Sequence, residues 1–144
     1  ILGHNTKDAE GEKGATVQFE DNIALVGLNA DNEVVASQTD VAQNAVSFTP
    51  DGLLDGEYTA GTTKKTLGPD YNMKAASESA GIGKEWDEQA QAYDEYLVGK
   101  DADAINNIEL DETGKATDAD LVTGATITID GFVAATEKAL NNVK

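Results

Sequence analysis

The hydrophobic pattern changes period part-way along the chain, and that change limits the fold more than any other feature. Up to Phe48 the apolar residues lie in short extended runs. Val17 and Phe19 alternate with polar neighbours, Ile23 to Leu28 is largely apolar, Val34 to Ala36 is rich in β-branched residues, and Ala45 to Phe48 alternates again. From Lys84 onward the spacing is three and four. Trp86, Ala90, Tyr93 and Leu97 form one stripe, and Ile127, Ile129, Phe132, Val133, Thr136, Leu140 and Val143 form another. The pattern predicts an α+β domain, with an antiparallel sheet of about four to six strands packed against two main helices, at about 84–98 and 127–142.

The connections carry their own signals. Asn29-Ala30-Asp31-Asn32 suits a hairpin turn, since Asn and Asp tolerate left-handed backbone, and Pro50-Asp51-Gly52 closes the fourth run. A short strand is expected around Glu57 to Ala60. Gly99-Lys100 stops the first main helix, Ala102 to Leu110 fits either a helix or a strand, and Asp111 to Lys115 reads as a turn. No internal repeat is visible.

The chain has 144 residues, enough for one domain that buries roughly two thirds of its unfolded surface. Residues 1–14 are polar and are expected to be a flexible lead-in, with His4 in a frayed terminus; the domain proper spans 15–144. Net charge is −17, and all ten cationic residues are lysine. Binding to nucleic acid or to anionic lipid through the surface is excluded, because both require basic patches. Cysteine is absent, which removes disulfides, thiolate metal sites and cysteine nucleophiles. No apolar run approaches a membrane span, and direct membrane insertion by this domain is not expected.

Two stretches break the pattern in ways that point to chemistry. Asp120-Leu121-Val122-Thr123-Gly124-Ala125-Thr126 runs straight into the last helical stripe. Its plain structural reading is a helix start with Thr126 or Thr128 as N-cap, whose unpaired amides and positive dipole end would suit a phosphate. Glu78-Ser79-Ala80-Gly81-Ile82-Gly83 is a Gly-rich loop before the first main helix. Its plain structural reading is a simple connection to the helix, with glycines supplying backbone freedom. Trp86 is most simply core. Lys64-Lys65 reads as a solvated turn.

The first stretch resembles the Asp-x-x-Ser/Thr-Gly-Ala-Thr signature of FMN-binding domains, including the C subunit of the sodium-translocating NADH:quinone oxidoreductase and the G subunit of Rnf complexes. The second resembles that family's Glu-Thr-Pro-Gly-Leu-Gly loop, with Ala80 in place of proline, and it too precedes an aromatic segment ending in Gly-Lys, here Gly99-Lys100. The similarity covers about residues 15 to 142, in the family's order and separation, and the lead with Tyr71 to Lys74 and Ser77 looks more like secreted Firmicute members than the respiratory subunits.

The resemblance implies covalent FMN, esterified through its phosphate to Thr126 by an FAD:protein FMN transferase. Asp120, Thr123, Gly124 and Ala125 would complete the attachment motif, and Glu78, Ser79, Gly81, Ile82 and Gly83 would form the cofactor loop. Any magnesium would belong to the transferase. The domain would relay electrons outside the cytoplasm, at the cell surface or secreted and lipid-anchored in the full-length protein, between a membrane electron donor and an extracellular or membrane acceptor. No substrate chemistry of its own is implied. The lack of arginine agrees, because free FMN phosphate is usually met by arginine forks, whereas a tether holds the flavin at an effective concentration of order mM. The alternative is a surface interaction module that kept the fold without the flavin. A hydrolase using scattered carboxylates finds no His, Cys or Ser elbow to support it.

Overall fold

Two long strands carry the fold. In a computed structural model, which describes residues 2–56 and 62–143, β2 (Thr16–Leu28) and β3 (Val34–Ser47) pair antiparallel from Thr16↔Ser47 to Leu28↔Val34. The turn between them is the expected Asn-rich one. The Asn29 side-chain oxygen accepts from the Asp31 and Glu33 amides at 2.9 Å each, and Asn32 takes a left-handed φ of 63°. β1 (Leu2–Lys7) adds to the outer edge of β2, from Leu2↔Asp21 to Lys7↔Thr16.

The sheet therefore has three strands among the described residues, fewer than the four to six expected. The four apolar runs are not four strands. Polar Glu20-Asp21-Asn22 continues the extended backbone of β2, and Thr39 to Asn44 continues β3, because partners across the hairpin satisfy the backbone of both segments. Residues 2–7, assigned to a lead-in from their polarity, pair as an edge strand instead. The strand expected around Glu57 to Ala60 lies outside the described residues.

Two helices cover one face of this sheet. α3 (Trp86–Leu97) lies on β3 and α6 (Asp130–Asn141) on β2. The α3 stripe is buried as the spacing predicts, with Trp86, Ala90, Tyr93 and Leu97 at most 3% exposed. Phe132 of α6 meets Trp86 edge-on at 5.6 Å between ring centroids and Tyr93 at 5.4 Å, so three aromatics lock the helices together. The opposite sheet face stays open, with Phe19, Ile23 and Leu25 exposed.

A buried carboxylate fixes α3 on the sheet. Asp94 accepts from the Ser37 hydroxyl, the Thr39 amide and hydroxyl, and the Lys65 ammonium, at 2.9 to 3.1 Å. Four donors satisfy a charge that burial would otherwise make costly.

Short helices fill the connections: α1 (Lys64–Leu67), α2 (Lys74–Ser79), α4 (Ala102–Asn106) and α5 (Ala119–Val122). α4 settles the segment left open between helix and strand. Asp101 caps it, accepting from the Ala104 amide at 2.8 Å. The described residues contain no helix long and apolar enough to cross a membrane.

The entry to α6 differs from the expected cap. The helix begins at Asp130, and neither Thr126 nor Thr128 caps it; Ile129 holds the cap position without a side-chain bond. Ile127 and Ile129, which extend the helical spacing, belong to the approach segment, whose backbone is anchored by a bridge between Lys115 and Thr128. The phosphate-friendly helix end is thus displaced from Thr126.

Candidate functional site

The Asp120 to Thr126 stretch is shaped from behind by packing. Asp118 starts α5, its Oδ1 accepting from the Asp120 amide at 2.9 Å. That bond, with another from the Tyr96 hydroxyl, holds the Asp118 carboxyl below its usual range. After one turn the chain reaches Gly124, where an added Cβ would stand 2.6 Å from Cβ of Ala92 on α3. Ala125, 1% exposed, enters the core directly. Gly-Ala is therefore the pair that lets this turn close on α3.

That approach delivers Thr126 to Gln89. The Thr126 amide donates to Gln89 Oε1 at 3.0 Å, and its hydroxyl stands 3.5 Å from the same oxygen, at the limit of hydrogen bonding. The other end of Gln89 donates to the Lys84 carbonyl at 3.2 Å. Ser77 Oγ also reaches the Lys84 carbonyl, at 2.6 Å. One fully buried glutamine thus joins the two motif-bearing segments. The Thr126 amide itself is used by Gln89.

A cleft of about 450 Å³ opens where these segments meet the sheet. This is within the range of about 300–1,000 Å³ typical of cofactor sites. Thr126 and Thr128 line one side, and Ala76, Ser77 and Ala80 line the other. Trp86 and Phe132 give it aromatic wall, while Glu20, Asn22 and Val41 form the sheet side. Two of the ten lysines, Lys64 and Lys115, border it. Small residues leave width for a flat ring, the aromatics and Met73 offer apolar contact, and the lysines supply charge for an anionic group. The residues present fit a flavin mononucleotide.

The sequence-predicted residues divide between lining and support. Thr126 lines the cleft, and Gly124 and Ala125 lie behind it. Thr123 is exposed, its hydroxyl donating back to the Asp120 carbonyl at 2.9 Å, and neither Thr123 nor Asp120 lines the cleft. In the other motif Glu78 and Ser79 end α2 as exposed helical residues rather than loop. Gly81 and Gly83 have φ of 90° and 56°, so glycine there serves the turn itself. With Ile82 they stand outside the cleft lining, which takes Ala80 from this stretch and Ala76 and Ser77 from just before it.

Sequence reasoning missed Gln89 and Lys64. A polar residue three positions after Trp86 on a buried stripe was the available signal for Gln89. Lys64 was read as part of a solvated turn, but it is 8% exposed, 3.0 Å from Glu20 Oε1 and over the rings of Tyr71 and Trp86. Its burial depends on contacts with residues distant in sequence, which local composition does not encode.

No curated protein and no solved structure matches the chain. The family profile described as the FMN-binding domain matches residues 23–141, a span that holds both motifs, both main helices and all of the cleft lining except Glu20 and Asn22. On that match, and with a cleft whose lining suits the cofactor, the chain belongs to the family of FMN-binding domains.

Proposed function

We propose that this domain is an extracytoplasmic electron carrier whose FMN is joined by a phosphoester to Thr126, placed there by an FAD:protein FMN transferase. The observation that carries the reading is the contrast between two threonines. The Thr126 hydroxyl borders the cleft beside Gln89, whereas the Thr123 hydroxyl turns back onto the Asp120 carbonyl outside it.

In this reading each part has a distinct task. Gln89 holds the Thr126 backbone, Gly124 and Ala125 let the turn seat against α3, and Trp86, Phe132 and Met73 shield the ring from water. Bound there, FMN supplies reversible uptake and release of electrons. Lys115, exposed at the cleft rim and paired through its backbone with Thr128, is the cation best placed for the ester phosphate. Asp120 and Thr123, on the outer surface, are available to the transferase. A chain of net charge −17 repels a dissociable flavin phosphate, so a tether is what keeps the cofactor in place where lost flavin is diluted away. Donor and acceptor are separate redox proteins, one at the membrane.

Co-expression with an FAD:protein FMN transferase tests this. The intact protein gains the mass of FMN less water, Thr126→Ala loses the gain, and Thr123→Ala retains it at least in part. A colourless wild-type protein of unmodified mass supports the interaction-module reading instead.

A further inference from the structure

The ion pair on the sheet side of the cleft, Lys64 with Glu20, has no role in the proposed attachment to Thr126. Lys64, at the start of α1, places Nζ 3.0 Å from Glu20 Oε1 on β2. The same ammonium lies 5.3 Å from the Tyr71 ring centroid and 5.5 Å from that of Trp86. Two aromatic faces and a carboxylate therefore fix one positive charge in a protein that is otherwise strongly negative.

Packing alone does not account for this choice. Desolvating a lysine is expensive, and apolar residues of similar volume often fill such a position as well or better. The pair is also unequal. The Lys64 side chain is 10% exposed and that of Glu20 33%, so solvent screens the carboxylate more than the ammonium. Both ends of the pair line the cleft, the ammonium being the more deeply buried and the less screened. Among the described residues, the other charged ones bordering the cleft are Lys115 and Asp130, both solvent-exposed and better screened.

We infer that the Lys64–Glu20 pair sets the reduction potential of the cleft's flavin, Lys64 raising it and Glu20 moderating the rise. The inference rests on the reading that FMN occupies this cleft. Reduction adds two electrons from an external donor and one or two protons from solvent. With one proton the ring becomes negative, and a fixed ammonium nearby favours that state. One unit charge roughly 12 Å from the ring, at an effective dielectric near 20, changes the reduced-to-oxidised ratio on the order of tenfold. A tenfold change in a two-electron equilibrium corresponds to about 30 mV.

Redox titration of the flavinylated protein against dithionite and indicator dyes tests it, with Lys64→Met, Lys64→Arg and Glu20→Gln beside wild type and thermal melts confirming that each variant folds. Lys64→Met should move the equilibrium about tenfold toward the oxidised form, Glu20→Gln several-fold toward the reduced form, and Lys64→Arg less than threefold. The opposite signs are what a merely structural pair would not produce. Shifts of the same sign, or shifts below threefold in both Lys64→Met and Glu20→Gln, overturn the inference. Should Lys64→Met fail to fold, Glu20→Gln and Lys64→Arg decide: a reduced-form gain with arginine neutral supports it, and no gain overturns it. Absence of flavin from wild type would instead defeat the functional reading on which the inference stands.

Discussion

Replacing Gly124 with alanine probes how the turn before Thr126 is seated. The glycine has no positive φ, so an alanine meets no backbone penalty, and the whole cost falls on one contact. Its Cβ would lie 2.6 Å from Cβ of Ala92, well inside the 3.5–4.0 Å at which carbon atoms pack best. Both atoms belong to short, stiff side chains, so relief requires backbone movement of α3 or of the turn. Overpacking of this kind costs about 1–3 kcal/mol. Ala92→Gly alone should cost about 1 kcal/mol as a glycine inside a helix. In the double variant the clash disappears, leaving about the helix term alone and a favourable coupling of about 1–3 kcal/mol. Urea unfolding of the four proteins measures each quantity. Simple additivity, or a Gly124→Ala protein as stable as wild type, would refute the idea that this glycine is required by the approach to α3.

Three further outcomes follow from contacts already described. Asp94→Ala leaves Lys65 without its buried partner and strips Ser37 and Thr39 of an acceptor, so urea unfolding should show a loss of about 3–5 kcal/mol. Gln89→Met leaves the Thr126 amide unpaired and the Lys84 carbonyl with only its Ser77 donor, and should destabilise by about 1–3 kcal/mol while slowing flavin attachment in a timed transferase assay. Asp118 titrates below its usual range in the folded protein, mainly through the Asp120 amide and then Tyr96, and Asp111 does so mainly through the Thr113 hydroxyl and then the Lys115 amide. A lowered folded value means that stability is present above the ordinary carboxylate pKa, about 3.9, and is lost as pH falls through the folded one. Asp118→Asn should accordingly flatten the acid limb of a stability-against-pH profile below about pH 4 and leave its neutral region sloped as before.

What could be read from the residues was local. The stripe Trp86, Ala90, Tyr93, Leu97 defined α3 because burial on one helical face repeats every three or four positions. Asn29 to Asn32 defined the hairpin turn because side-chain and left-handed backbone preferences are properties of those residues themselves. Strand number was not legible, since Glu20-Asp21-Asn22 looks like a break and is held extended only by partners on β1 and β3. The α6 start was misplaced for a related reason: Thr126 has the chemistry of a cap, but Gln89, 37 residues earlier, takes its amide. The candidate site followed the same rule. Thr126 could be named from a short motif, whereas Gln89 and Lys64 gain their meaning from a cleft assembled by β2, α1, α3 and the approach to α6.

The most direct measurement is a site-resolved mass spectrum of the flavinylated protein. Cleavage after lysine releases residues 116–138 as one peptide, which contains Thr117, Thr123, Thr126, Thr128 and Thr136. Fragmentation under conditions that preserve phosphoesters should assign the flavin phosphate to Thr126 alone. A flavin phosphate on any other threonine, or a peptide that stays unmodified after exposure to an active transferase and FAD, would contradict the account.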